Sequence, residues 1–379
     1  MKDEWQQYEQ LRKETELPYS AEEKCFYASK FADVESLLKS EKLTVEFKFR
    51  ASRQVFGKTI LDSDDAEQLQ IKRILMPFFT RSTIAHYKEA FIRPLIRNII
   101  RESLEATGGV VDYNWYIAQR IPTQVIMQIF GIPLEHERYL FSHLEKLVLY
   151  IDSPTNSLQE AIDAKEELLR FLADCYAQKI PTTPHGILGS LKIEDFEDES
   201  ELLRTCLMLL TAGMATTIGS LNILLFYIYD HFSTLIANQD DPDFIKKFSQ
   251  EVIRVQPPLH ATIRFVKEDF EFSDTKLRKN DMLKIILASA NRDENMFTTP
   301  ASLELETKKT SSCTFGKGKH ACIGADLAIA ELVVFIEEFL PLVPQLEVES
   351  SADELPQEGN VIKMFQKIQL KKITENAEA

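Results

Sequence analysis

Apolar positions along this chain recur mainly at helical spacing. Phe31, Val34, Leu37 and Leu38 fall on one face of a helix, and the same period runs from residue 67 to about 180. Breaks fall at Gly108-Gly109 and at Gly131-Ile132-Pro133, where the backbone is free to turn. Strand-like apolar runs occupy 24–28, 265–272, 282–287 and 362–370. The pattern predicts a mainly α protein with a minor β region. No linker, repeat or low-complexity stretch marks a second unit, so residues 1–379 are expected to form a single domain.

Residues 205–229 carry no charge at all and are long enough to span a bilayer. Thr211, Thr216, Thr217, Ser220 and Asn222 interrupt the apolar run, and basic flanks of one sign are absent. The expectation is a central helix buried on all sides, with no membrane segment. The N-terminal residues are charged and lack the apolar core of a signal peptide.

Composition narrows the functional classes. The chain is 44% hydrophobic and 27% charged, enough for a large core, and its 12 glycines favour long helices over a turn-rich β architecture. A net charge of −15 argues against a nucleic-acid partner. Cys25, Cys175, Cys206, Cys313 and Cys322 are odd in number and show no zinc or disulfide spacing, which suits a reducing cytoplasm.

The segment Phe315-Gly316-Lys317-Gly318-Lys319-His320-Ala321-Cys322-Ile323-Gly324 feeds into the apolar helical run 325–340. It sets a cysteine where a loop meets a helix N-terminus, and there backbone N–H groups and the helix dipole favour a thiolate. Gly316 and Gly318 permit a tight bend, and Gly324 permits close approach of a flat partner. The two lysines do not make a phosphate loop, because Gly-Lys-Ser/Thr after four variable residues is missing.

This decapeptide resembles the haem-binding loop of the cytochrome P450 superfamily, Phe-x-x-Gly-x-x-x-Cys-x-Gly, with Phe315, Gly318, Cys322 and Gly324 at the fixed positions and His320 two before the cysteine. Glu251-Val252-Ile253-Arg254, before Pro257-Pro258, resembles the family's Glu-x-x-Arg helix. Thr211-Ala212-Gly213-Met214-Ala215-Thr216-Thr217 resembles the oxygen-binding groove of its long central helix. Softer agreement runs from about residue 24 to the end.

The resemblance implies a triangular single domain holding haem b (iron protoporphyrin IX) between the central helix and the cysteine-loop helix, with Cys322 as iron ligand. It implies Arg264 and His320 as haem-propionate contacts, and Phe315, Gly316, Gly324, Ala212 and Gly213 beside the cofactor. Glu251 and Arg254 become a structural ion pair; Thr216 and Thr217 serve proton and oxygen handling. Met208, Leu209, Leu259, His260, Ala261 and Thr262 fall at candidate substrate-pocket positions.

Three departures stand out. The acid that usually precedes Thr216 is Ala215. The family's propionate-binding His and Arg, four residues apart, are here Gln68 and Lys72, and lysine lacks the guanidinium fork. The pocket cap between residues 45 and 61 is short. The implied activity is monooxygenation of a small lipophilic or natural-product substrate, of the kind used in secondary metabolism, with electrons from an external ferredoxin or flavodoxin and its reductase. Lys317, Lys319, Lys72 and Arg73 would form the docking patch. Ala215 keeps peroxide-driven or non-hydroxylating oxidation open, and a haem sensor or carrier without turnover is a third alternative.

Overall fold

The structure is a computed structural model that describes residues 2–106, 108–306, 311–349, 357–365 and 367–373. The principal helices are α1 (Lys2–Lys13), α2 (Phe31–Lys39), α3 (Asp65–Leu75), α4 (Arg93–Ala106), α5 (Arg120–Phe130), α6 (Glu137–Asp152), α7 (Leu158–Tyr176), α8 (Glu199–Asp230), α9 (Pro242–Val255) and α10 (Ala325–Phe339). Several of these helices reflect the period read from the sequence. In α2, Phe31, Val34, Leu37 and Leu38 are the buried positions.

The charge-free stretch lies inside α8. Asp198 caps that helix by accepting from the Glu201 N–H at 2.8 Å, and Glu199 and Glu201 complement the positive end of its dipole. The helix is long and apolar enough to cross a membrane, yet 78% of its most apolar window is buried inside the protein. Leu207, Leu210, Leu221, Leu224 and Leu225 have no exposed surface. Each such side chain contributes about 1.5–3 kcal/mol on burial. α8 packs against α5, α6, α7, α9 and α10, so it is the axis of the helical part.

The main sheet is built from β1 (Tyr19–Ser20), β2 (Cys25–Ala28), β3 (Leu43–Thr44), β4 (Thr262–Val266) and β5 (Met282–Ile285), in the order β1-β2-β5-β4-β3. β5 pairs parallel to β2 and antiparallel to β4, which sets Arg264 across from Leu283. The expected strand over 265–272 is divided: β4 begins earlier, and Phe270–Phe272 hairpins with Thr275–Leu277.

Two elements depart from the periodicity. Val110–Asp112 is a strand within the region that reads as helix, because it pairs with Gln369–Lys372, a partner remote in the chain. α1 has no apolar stripe to announce it. It is held instead by Trp5 stacked 3.5 Å from the Arg292 guanidinium and by Tyr8, which is buried against His260. The short segment 45–61 is closed. Arg50 donates to the carbonyls of Val45 (3.1 Å) and Leu61 (2.9 Å), and the helix Ala51–Phe56 buries Val55 and Phe56.

Candidate functional site

The cysteine loop is fixed by its own backbone. Gly316 N–H donates to Cys313 O (2.9 Å), Ala321 N–H to Gly318 O (3.1 Å) and Cys322 N–H to Phe315 O (2.8 Å). Gly316 and Gly318 adopt φ of 67° and 71°, and a Cβ on Gly318 would stand 2.9 Å from the Leu38 carbonyl oxygen. Glycine at 318 is therefore required twice over, by conformation and by space. α10 starts three residues after Cys322.

Burial pushes the Cys322 thiol up, while the Gly324 N–H and the Lys72 ammonium pull it down. The side chain is nonetheless exposed, between half-buried Ala321 and Ile323. Phe315, Gly316 and Gly324 are half-buried beside it.

α8 carries a matching interruption. Ala212 is exposed and Gly213 and Thr216 are half-buried, whereas the helix around them is covered. Exposure at Cys322, just before α10, and at Ala212, inside α8, means that space adjoins each of two mutually packed helices. Thr216 Oγ1 leans back towards the Ala212 carbonyl at a long 3.4 Å. Thr217 is buried at 4% exposure and Ala215 at 3%.

The pocket candidates separate on the same criterion. Leu259 and Thr262 are half-buried and Thr262 Oγ1 accepts from Arg264 Nη1 at 3.0 Å. Met208, Leu209 and Ala261 are covered by the protein. His260 is also a correction: its ring is 1% exposed and turned to α1, with Nδ1 3.2 Å from the Tyr8 hydroxyl and 3.4 Å from Glu4 Oε1. The Tyr8 hydroxyl and the Glu4 carboxylate of α1 hold the imidazole on that side.

Glu251 and Arg254 form the framework under the loop. Arg254 Nη2 donates to Glu251 Oε2 (2.7 Å) and to Ser302 O (2.7 Å), Nη1 to Asn291 O (2.9 Å) and Pro300 O (3.1 Å), and the guanidinium lies 4.4 Å from the Phe297 ring centre. Glu251 Oε2 also accepts from the Glu304 N–H at 2.8 Å. Both residues are buried, and the pair is hydrogen-bonded on every side, the condition under which a buried ion pair is tolerated. Asn291 relays this framework to the loop: its Oδ1 accepts from Cys313 N–H (2.6 Å), its Nδ2 donates to Thr314 Oγ1 (2.8 Å).

The cations around the loop behave differently from one another. Arg264 is 7% exposed, and among the described residues no carboxylate lies within ion-pair distance of it. Burial, with Arg50 nearby, brings its guanidinium down to about 10. His320 Nε2 lies 2.8 Å from Asp64 Oδ1, and burial holds this imidazole below its ordinary range. Lys319 Nζ sits 3.0 Å from both Asp64 and Asp65. Lys72 Nζ donates to the carbonyls of Lys319 (2.9 Å) and Ala321 (3.4 Å), and Gln68 Nε2 to Lys319 O (2.8 Å).

Asp64 is the residue that sequence reasoning missed. It precedes α3, accepts from the Thr44 hydroxyl at 2.5 Å and the Val45 N–H at 3.2 Å, and gathers His320 and Lys319. No linear signal announces it.

A flat, dianionic iron porphyrin suits these residues. The exposed thiol and the opened turn of α8 provide room, and the Arg264 guanidinium is a buried cation with no carboxylate at ion-pair distance among the described residues. Comparison with known proteins agrees. The family model described as cytochrome P450 matches residues 239–371. A cytochrome P450 of Bacillus subtilis (strain 168) is 27% identical over 381 residues, spanning 94% of this chain and 90% of that protein. Vitamin D(3) 25-hydroxylase of Pseudonocardia autotrophica is 31% identical over 255 residues, 66% of this chain and 62% of the relative. Among solved structures, P450BioI in complex with a hexadec-9Z-enoic acid-ligated acyl carrier protein superposes with a TM-score of 0.87 at 20% identity, covering 98% of each chain. The chain belongs to the cytochrome P450 superfamily and is a haem-dependent monooxygenase of the bacterial type.

Proposed function

We propose that this chain, acting as a single domain in the cytoplasm, oxidises a small lipophilic or natural-product substrate beside a haem ligated by Cys322. The observation that carries the reading is the exposed Cys322 side chain at the start of a helix packed on α8, whose Ala212 is exposed in turn. When bound, a thiolate-ligated haem supplies oxygen activation, because sulfur donation favours O–O cleavage.

The protein's part is binding, orientation and proton control. Arg264 would hold a propionate with its otherwise unmatched guanidinium. His320 is committed to Asp64, so it would act on the cofactor edge through its remaining ring face and through Asp64 placement. Lys72 and Gln68 hold the cysteine loop itself. Ala212 and Gly213 leave room, and Thr216 Oγ1 is the hydroxyl available to hold a proton there. Leu259 and Thr262 would border the substrate. A relative named for vitamin D(3) supports a lipophilic substrate class.

Bacterial enzymes of this family draw electrons from an external redox partner. We assign a ferredoxin or flavodoxin with its reductase. Within the basic patch, Lys72 is turned inward and Lys319 is spent on Asp64 and Asp65, leaving exposed Arg73 and half-buried Lys317 to steer an acidic partner.

A reduced-CO difference spectrum of the wild type and of Cys322→Ala tests the ligand. The strongly red-shifted Soret band is expected in the wild type alone, and its survival in the variant would overturn the assignment. Turnover of compounds that shift the Soret band, with ferredoxin and NAD(P)H against peroxide alone, separates monooxygenation from the peroxide-driven route. Soret shifts without turnover by either route would make the protein a haem sensor.

A further inference from the structure

Ala215 stands where the family resemblance expects an acid, and its side chain belongs to the wall of a cavity of about 590 Å³. This cavity lies along a different strip of α8 from Ala212 and Thr216. Ala215, Ile218 and Asn222 line it at helical spacing, facing α6 and residues 359–365 and 367. It is half-open, and Glu145 of α6 stands in its wall with its side chain exposed. Solvent therefore reaches Glu145 at one side of the cavity, and buried Ala215 forms another.

Two buried amides make the interior suited to water. Asn114 and Asn222 each donate Nδ2 to the Phe365 carbonyl, at 2.6 Å and 3.0 Å. Both Oδ1 atoms are buried and, among the described residues, have no hydrogen-bond partner. Both residues line the cavity. A buried acceptor left unpaired costs about 1–3 kcal/mol, and a polar space of this size satisfies it with ordered water.

The charged groups at the cavity are few. Asp152, on the same helix as Glu145, is committed to the N–H groups of Asn360, Val361 and Ile362 at 2.7–2.8 Å. Lys367 faces in from the C-terminal segment, and α8 and the residues 114–119 contribute no titratable lining group. Burial pushes the Glu145 carboxyl above its usual range.

We infer that Glu145 is the proton source that serves this chain in place of an acid at position 215, delivering protons through cavity water held by Asn114 and Asn222 to the α8 turn at Ala215 and thence to the Thr216 hydroxyl. The inference rests on the monooxygenase assignment. In that reaction substrate, dioxygen, protons and electrons give hydroxylated product and water. The redox partner supplies the electrons, and solvent supplies the protons. Glu145 passes on a proton and regains one from solvent, so it ends each cycle unchanged. It acts through water and Thr216, as a positioning residue for protons rather than a group in contact with the reacting atoms.

The test uses the full-length haem-loaded protein with a surrogate ferredoxin, its reductase and NADPH as electron source, with consumption in the absence of the protein subtracted, so that no native partner or substrate is needed. Oxygen consumption is followed across pH and in H2O against D2O for the wild type, Glu145→Gln, Glu145→Asp and the double variant Ala215→Asp/Glu145→Gln. Glu145→Gln should slow consumption about tenfold or more, in keeping with general-acid contributions, flatten the fall of the rate with rising pH, and change the solvent isotope effect. Glu145→Asp should restore part of the rate, and the acid newly placed at 215 should restore it without Glu145. A merely structural Glu145 would not be rescued from another helix. Independently of turnover, the infrared carboxyl band lost in resting Glu145→Gln should titrate above the ordinary carboxylate range in the wild type. An unchanged rate and pH profile in Glu145→Gln, or an ordinary titration of that band, would overturn the proposal. A failed monooxygenase assignment would show itself separately, as a wild type lacking the red-shifted CO band.

Discussion

Lys72 Nζ lies 2.9 Å from the carbonyl oxygen of Lys319, so the ammonium reaches across from α3 to grip the cysteine loop. The same carbonyl accepts from Gln68 at 2.8 Å. The two side chains that replace the family's His and Arg thus act on the protein backbone that carries Cys322.

Because the two donors share one acceptor, their loss should be non-additive. Lys72→Met or Gln68→Leu alone leaves the Lys319 carbonyl with one partner and should cost about 1 kcal/mol. The double variant strands that carbonyl and should cost more than the sum of the two. Urea unfolding of all four proteins measures the coupling, and strict additivity would contradict the shared clamp.

Arg264→Met should have opposite effects on the two forms of the protein. The haem-free form loses a buried guanidinium that has no ion pair and should gain about 1–3 kcal/mol. The haem-loaded form loses a cation for a propionate, and haem should dissociate about tenfold faster or more. Thermal melts of both forms, with haem transfer to apomyoglobin, follow the two effects. A variant less stable without haem would show that Arg264 is already satisfied within the protein.

The Asp64 cluster should make the protein acid-sensitive in a defined window. Burial alone would raise this carboxyl, yet bonds from His320, Thr44 and Lys319 hold it well below the usual range. A depressed folded value means that its stabilisation is fully present above the unfolded carboxylate range, near pH 4, and is lost as pH falls through the folded value. Wild-type melting temperature should therefore drop steeply below about pH 4. Asp64→Asn should be less stable at pH 7 and show a shallower acid limb; an identical limb would remove Asp64 from the account.

Arg254→Ala should cost about 3–5 kcal/mol, because it leaves Glu251 buried and unpaired. Arg254→Lys should recover little of this. One ammonium cannot reach Glu251 and the carbonyls of Asn291, Pro300 and Ser302 together. Equilibrium unfolding and haem content on purification check both variants, and full recovery with lysine would show that charge alone suffices.

The amino-acid sequence by itself determined most of the long helices, the cysteine loop and the Glu251/Arg254 pair. These are local statements: 3.6-residue periodicity, glycines that permit a bend, and two residues three apart on one helix face. Even the charge-free stretch read correctly as a buried helix, because scattered Thr, Ser and Asn suit a protein interior better than lipid. Only the tertiary structure decided what each cation does. His320 meets Asp64, Lys72 meets Lys319, and His260 meets Tyr8, pairs separated by long stretches of chain and brought together by packing. The strand Val110–Asp112 was hidden for the same reason, since its hydrogen-bond partners come from the far end of the chain. Ala215 shows the division most sharply: the sequence revealed that an acid was gone, and the fold alone brought Glu145 to the same cavity, because which helix lies alongside α8 is settled by side-chain packing and not by any spacing along the chain.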